Sequence, residues 1–322
     1  MSRRFYVEAL GVLSLAALLF TAPEARAWGC EGHQTVALIA KKHLNPRALA
    51  MVEKILTDNP IDPTLKRFCA NEGLDPMADA STWADDYRTV DPNTAGWHFF
   101  DIPRGASRAG IDQFCSSGGC VVSALEQQIE ILRTPGADPK KQADALRFVI
   151  HFAGDIHQPL HCSTNNDRGG NCVPVDYFGK HTNSTDAQTG AYSPNLHSVW
   201  DVDIVETVAK GETVGQFAAE LDGQFQSQVG SWQKAGLNFD DWAWESHQDA
   251  EQTSYGRLPR KIKAESPVPV TTCLDDNNIS ARMLALHEDL EQPYQDAAAP
   301  VVREQLAKAG VRLAMILNQI WK

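Results

Sequence analysis

Apolar residues recur at three- and four-residue spacings through most of this chain, and that rhythm is the strongest constraint on its fold. TVALIAKKHL (Thr35 to Leu44) and RALAMVEKIL (Arg47 to Leu56) both carry it, with Asn45-Pro46 between them as a stop and restart signal. VSALEQQIEILR follows a cysteine-bracketed turn, and KKQADALRFVIHFAGDIHQ should run as one helix until Pro159 ends it. Further helices are expected over NLHSVWDVDIVETVAK, Thr213 to Val229, Phe239 to Glu251, and a long tail from Ala281 to Trp321. No alternating strand pattern is convincing. The expectation is a mainly α, single-domain multi-helix bundle with long loops at Asp58 to Ser81, Asp101 to Gly119, Ser163 to Pro194 and Arg257 to Thr272. No internal repeat or low-complexity linker divides it.

The N-terminus has the layout of a secretory signal peptide: Arg3 and Arg4, the apolar run ALGVLSLAALLF, then Ala25-Arg26-Ala27. Cleavage after Ala27 would make residues 28–322 the functional domain and Trp28 its first residue. Residues 1–27 hold three arginines and two glutamates, so losing their net +1 takes the formal charge from −12 to −13. No second long apolar run follows, which excludes a further membrane span, and the expected product is a secreted or periplasmic monomer with no stable membrane association. In an exported chain seven cysteines point to disulfides, with one left over. Cys115 with Cys120 and Cys162 with Cys172 read as local staples, and Cys30 with Cys69 is a third pairing.

Two helical segments each place a histidine and an aspartate one turn apart: His151 with Asp155, and His197 with Asp201. At i,i+4 both side chains leave the same helix face and can close on one metal or on two adjacent ones. Pro159 frees His161 from the helical face, and WADD (Asp85) and WHFFD (His98, Asp101) add further donors. One such pair alone is usually a hydrogen bond. Three clusters, with His33 beside a new α-amine, in a chain of only ten histidines, make a joint metal site the better reading. Imidazole and carboxylate without thiolate suit hydrolytic zinc. His43, His157, His181, His247 and His287 read as structural, His157 with a supporting role held in reserve.

WGCEGH, STWADDYR, WHFFDIP, HFAGDIHQPLH, RGGN and NLHSVWD occur in an order and spacing that resembles the S1/P1 nucleases, the trinuclear-zinc, single-strand-specific family of mung bean nuclease. The resemblance spans Trp28 to Asp201; beyond it the likeness is in helical character and an ending like RLAMILNQIW. It implies three Zn2+. Asp85, His98, His151 and Asp155 would hold one, Asp155 would bridge to a second held by His33 and by the α-amine and carbonyl of Trp28, and His161, His197 and Asp201 would hold the third. An α-amine of pKa about 7.7–8 can yield its proton to a metal, which a peptide nitrogen cannot.

The implied activity is endonucleolytic hydrolysis of single-stranded DNA and RNA to 5′-phosphate products, with 3′-nucleotides as further substrates. Asp85 and Asp155 would serve catalysis through the metals, and Arg88 would lie near the scissile phosphate. Phe99 would be a stacking platform, Asp101 an acceptor from a base edge, and Asn171 a substrate contact on a loop that Gly169 and Gly170 let approach closely; Phe100 reads as core. An acidic protein without a basic groove would then attract a polyanion only at the metals themselves. Zinc-dependent phospholipase C shares this metal set and is the enzymatic alternative, less suited to an aromatic and a base acceptor. A zinc-storage protein is the non-catalytic one, disfavoured by the absence of a His-rich tract.

Overall fold

The computed structural model describes residues 28–65, 69, 73, 75–182, 190–274 and 287–322. The segment expected as a signal peptide, residues 1–27, lies outside them.

Helix α1 (Gly29–His43) and helix α2 (Pro46–Asp58) are separated where the sequence says they should be, with Asn45 capping α2 through its side chain and Pro46 opening it. Short α3 (Pro76–Ala80) and α4 (Trp83–Tyr87) follow, then a 3-10 turn over Pro92–His98. Helices α5 (Val121–Arg133) and α6 (Pro139–Asp155) pack against each other. After a 3-10 turn over Pro159–Cys162 come α7 (Leu196–Ser198), a π-turn over Val199–Asp203, and α8 (Ile204–Ala209). Helices α9 (Val214–Phe225), α10 (Val229–Lys234), α11 (Phe239–Asp249) and the long α12 (Gln292–Ile320) complete a mainly helical single domain.

Helix α6 is the centre of the molecule, because every residue from Ala145 to Asp155 is buried. A helix buried on all sides must satisfy its polar side chains internally, and here those include His151 and Asp155. Helix α12 packs along α1, α6, α9 and α10. Its close approach to α1 depends on Gly310, where a Cβ would lie 2.6 Å from Ile39. Asn318 closes the pair by accepting from Asn45 N at 2.7 Å and donating to His43 O at 2.9 Å. Among the described residues no helix is long and apolar enough to cross a membrane.

Several expectations are corrected. Helix α6 stops at Asp155 and not at Pro159: His157 N bonds Gly154 O and Gln158 N bonds Asp155 O, tightening the chain before the proline. The segment expected as one helix from Thr213 breaks after Phe225 and restarts at Val229. Residues 281–286 of the expected tail helix lie outside the described residues, and Glu288–Leu290 is a strand, so the helix opens at Gln292. That strand (β2) pairs in parallel with β1 (Val175–Tyr177), too short a pair to leave an alternating pattern in sequence.

Cys30–Cys69 and Cys115–Cys120 are disulfides, as expected. Cys162 and Cys172 are not joined: Cys172 bonds Cys273, 101 residues away in sequence, while Cys162 is buried with a free thiol beside Ile156 O. Nearness in sequence is a poor guide where a loop is folded back and pinned to the C-terminal third.

Candidate metal centre

The centre is assembled around the last turn of α6. His151 and Asp155 are both fully buried, with His151 Nε2 3.2 Å from Asp155 Oδ2. Helix α4 brings Asp85, whose Oδ1 lies 3.8 Å from His151 Nε2 and 3.7 Å from His98 Nδ1. His98 ends the 3-10 turn that Asp91 caps, and its Nδ1 sits 3.0 Å from both His151 Nε2 and Asp155 Oδ2. From α1, His33 stacks on His151 with ring centres 4.0 Å apart and brings Nε2 to 3.3 Å from Asp155 Oδ1. Gly154 makes this possible, since a Cβ there would lie 2.7 Å from His33 Nδ1.

A further cluster adjoins this one. The turn after Pro159 projects His161, whose Nε2 faces His197 Nε2 at 3.1 Å. The π-turn carries Asp201, whose Oδ2 is 3.2 Å from His197 Nε2 and whose Oδ1 accepts from Gln158 Nε2 at 2.6 Å. Trp28 is wholly buried beside both clusters; its indole donates to Gly154 O at 2.9 Å and its backbone N–H donates to the Asp201 carboxylate. Within each of three groups the donor atoms lie within 4.8 Å of one another: His33, Asp85 and His151; His98, His151 and Asp155; His161, His197 and Asp201.

The donors themselves test whether cations fit. His151, His161 and His197 each direct Nδ1 at a backbone carbonyl, of Ser81, His98 and Gly169 respectively, at 2.7–2.8 Å. A carbonyl can only accept, so Nδ1 carries the proton, and at His161 and His197, whose Nε2 atoms face each other, this leaves two bare lone pairs. Two such lone pairs facing each other at 3.1 Å repel unless a positive charge lies between them. Protonation is opposed at that pair: burial pulls His161 well below its ordinary range and takes His98 and His197 down to about 4, whereas at His151 the Asp155 and Asp85 charges outweigh burial and push the imidazole up. Asp155 stays ionised well below the usual carboxylate range, because His151 and the approaching His33 and His98 outweigh its burial. Burial holds Asp201 well above that range, with the Asp85 and Asp155 charges adding to the push. Asp85 Oδ1, both Asp155 oxygens, Asp201 Oδ2 and His98 Nε2 are buried with no hydrogen bond. Buried polar atoms left in this number fit metal cations and little else.

The remaining sites expected from sequence lie around these clusters. Arg88 is buried, with its guanidinium 3.0 Å from Asp85 Oδ1, so it is no solvated surface cation. Phe99 is half-buried, its ring centre 4.6 Å from that of His161, while Phe100 belongs to the core. Asp101 is exposed. Asn171 is partly exposed and spends its amide N–H on Arg168 O at 2.8 Å within its own loop. His157 touches the helix and not the clusters: it donates to Ala153 O at 2.8 Å and accepts from Arg312 at 3.0 Å. Ser81, Gln158 and the Asp167–Tyr255 contact that anchors the loop before Gly169 were not legible beforehand, because each matters only through a partner remote in sequence.

A helical domain whose central helix end gathers buried imidazoles and carboxylates into adjoining clusters has the donor set of a metal-assisted hydrolase. The match is specific: residues 28–322 fit the S1/P1 Nuclease family model, and the chain belongs to that family, as a hydrolase acting on phosphodiester bonds. Among its relatives are Nuclease S1 of Aspergillus oryzae, 30% identical across 95% of this chain and 96% of its own length, and Nuclease P1 of Penicillium citrinum, 27% identical across 91% and 97%. Endonuclease 2 of Arabidopsis thaliana is 27% identical across 94% of each.

Proposed function

We propose that this protein is an exported endonuclease that uses three zinc ions to hydrolyse single-stranded DNA and RNA to 5′-phosphate products, and that it also dephosphorylates 3′-nucleotides. The observation that carries this reading is the facing of bare imidazole lone pairs, His161 to His197, in a site where burial resists protonation. In the proposed assignment Asp85, His98, His151 and Asp155 hold one ion, Trp28, His33 and Asp155 a second, and His161, His197 and Asp201 the third. Bound zinc would supply Lewis-acid stabilisation of phosphoryl charge and activation of water.

The chain's own residues do the rest. The carbonyls of Ser81, His98 and Gly169 fix the imidazoles in one tautomer and one orientation, so no reorganisation is needed when substrate arrives. Arg88, held by Asp85, is the positive group available to the scissile phosphate. Phe99 offers a ring face beside His161, and the exposed Asp101 carboxylate can accept from a base edge. A stacked base must leave its duplex neighbours, which favours single strands.

The test is turnover by the processed protein on denatured and duplex DNA, RNA, a 3′-nucleotide and phosphatidylcholine, before and after chelation and zinc repletion. Zinc-restored cleavage of denatured DNA leaving 5′-phosphate ends is expected. Hydrolysis of phosphatidylcholine with inert nucleic acid would assign the centre to a phospholipase C.

A further inference from the structure

Arg168 immediately precedes Gly169, whose carbonyl holds His197 of the centre, on a loop far more heavily anchored than a surface turn requires. Its backbone is left-handed, φ 56°, a conformation that a side-chain-bearing residue keeps only when its surroundings impose it. The surroundings are the preceding residue, Asp167. That carboxylate is 1% exposed, accepts from Asn165 N and Gly170 N at 3.0 and 3.1 Å, and takes the Tyr255 hydroxyl within 3.0 Å of both oxygens. Tyr255 is pinned in turn by Arg104, stacked 4.6 Å from its ring centre and paired with Glu251. The next residue, Gly169, lends its carbonyl to His197. The loop is therefore rigid and in register with the His161–His197–Asp201 cluster.

The side chain this loop presents is exposed, and among the described residues its guanidinium makes no hydrogen bond or ion pair. Its charge acts on Asp101, where it opposes the upward push of the Asp167 carboxylate, and on His197, whose protonation it disfavours. Arg168 is thus within electrostatic reach of both His197 and Asp101, next to the Gly169 carbonyl that holds His197. Arg88, by contrast, is turned inward to Asp85.

We infer that Arg168 binds the phosphate on the 5′ side of the nucleotide whose base rests on Phe99, one phosphate upstream of the bond that is cut. This inference rests on the nuclease reading proposed above for the orientation of the strand. A guanidinium fork is suited to a phosphate, staying charged and bonding two oxygens at once. The contact makes the enzyme prefer strands over minimal substrates by adding a phosphate contact to the base stacking at Phe99.

The experiment compares the dinucleotides ApA, which has only the scissile phosphate, and pApA, which adds the 5′-phosphate. KM and kcat are measured separately for wild type, Arg168→Asn and Arg168→Lys, and zinc content is determined for each. Asparagine tolerates the left-handed backbone without carrying charge. Wild type should favour pApA through KM by roughly 10- to 100-fold, the worth of one charge-assisted contact; the preference should vanish in Arg168→Asn and return in part in Arg168→Lys, with zinc intact. A preference that survives in Arg168→Asn, or losses equal on the two substrates, would overturn the inference. Calorimetric binding of the phosphorothioate analogues separates the two proposals. Tighter, Arg168-dependent binding of the 5′-phosphorylated analogue without cleavage sinks the nuclease reading alone, and equal binding of both analogues by wild type sinks this one.

Discussion

His161 and His197 face each other Nε2 to Nε2 across 3.1 Å, each with its Nδ1 proton given to a backbone carbonyl. The pair is stable as drawn only with a cation between them, and this sets how the metal-free protein responds to acid. His98 and His197 titrate near 4 in the fold against an ordinary 6.5, and His161 is depressed as well. The unfolded chain therefore binds more protons between those values, and stability is lost as pH falls from 6.5 toward 4. Asp155, held low, adds to the loss as pH falls further, whereas Asp201, held high, opposes it. Melting of the chelated protein should show a Tm that declines across this window. A Tm flat or rising from pH 6.5 to 4 would contradict the neutral-imidazole assignment.

In the proposed assignment Asp155 is shared by the first two ions, and its oxygens lie 3.0 to 3.3 Å from His98, His151 and His33. Asp155→Asn keeps an oxygen and the shape but removes the shared charge. At least two of three zincs should be lost on dialysis and activity should fall by more than 100-fold, the scale of losing a metal-organising group. Retention of three zincs and near-native turnover would show that Asp155 bridges nothing.

Phe99 is half-buried against His161 but ligates nothing, so its removal separates substrate binding from metal binding. Stacking on an aromatic ring is worth roughly 1–3 kcal/mol per base, or about 5- to 150-fold in affinity. Phe99→Ala should weaken use of a single-stranded oligonucleotide within that range while zinc content stays at the wild-type value. Unaltered kcat/KM would leave the platform role without support.

Trp28 is buried with its backbone nitrogen directed at the Asp201 carboxylate, so a free α-amine at this position would enter the centre. A chain kept joined to Ala27 offers only a neutral, planar amide there, which cannot bind zinc. Protein carrying an uncleavable leader should contain fewer than three tightly bound zincs and cleave denatured DNA far more slowly, with added zinc restoring activity only in part. Equal zinc and equal rates in cleaved and uncleaved forms would separate processing from catalysis.

Much of this protein was legible locally. Apolar spacing set out α1, α2, α5 and α6, and Asn45-Pro46 marked the break between the first two, because helix periodicity and capping act over a few residues. The i,i+4 spacing of His151 with Asp155 and of His197 with Asp201 announced donors on one face for the same reason.

What only the tertiary structure decided is everything that depends on distant chain segments meeting. His161 is brought opposite His197 by a turn and a π-bulge, Ser81 and Gly169 supply the carbonyls that choose the tautomers, and Tyr255 anchors a loop 88 residues away. Cys172 found Cys273 and not its near neighbour for the same reason. Periodicity and caps are properties of consecutive residues, whereas a tautomer, a disulfide partner or a bare lone pair belongs to groups that only packing makes adjacent.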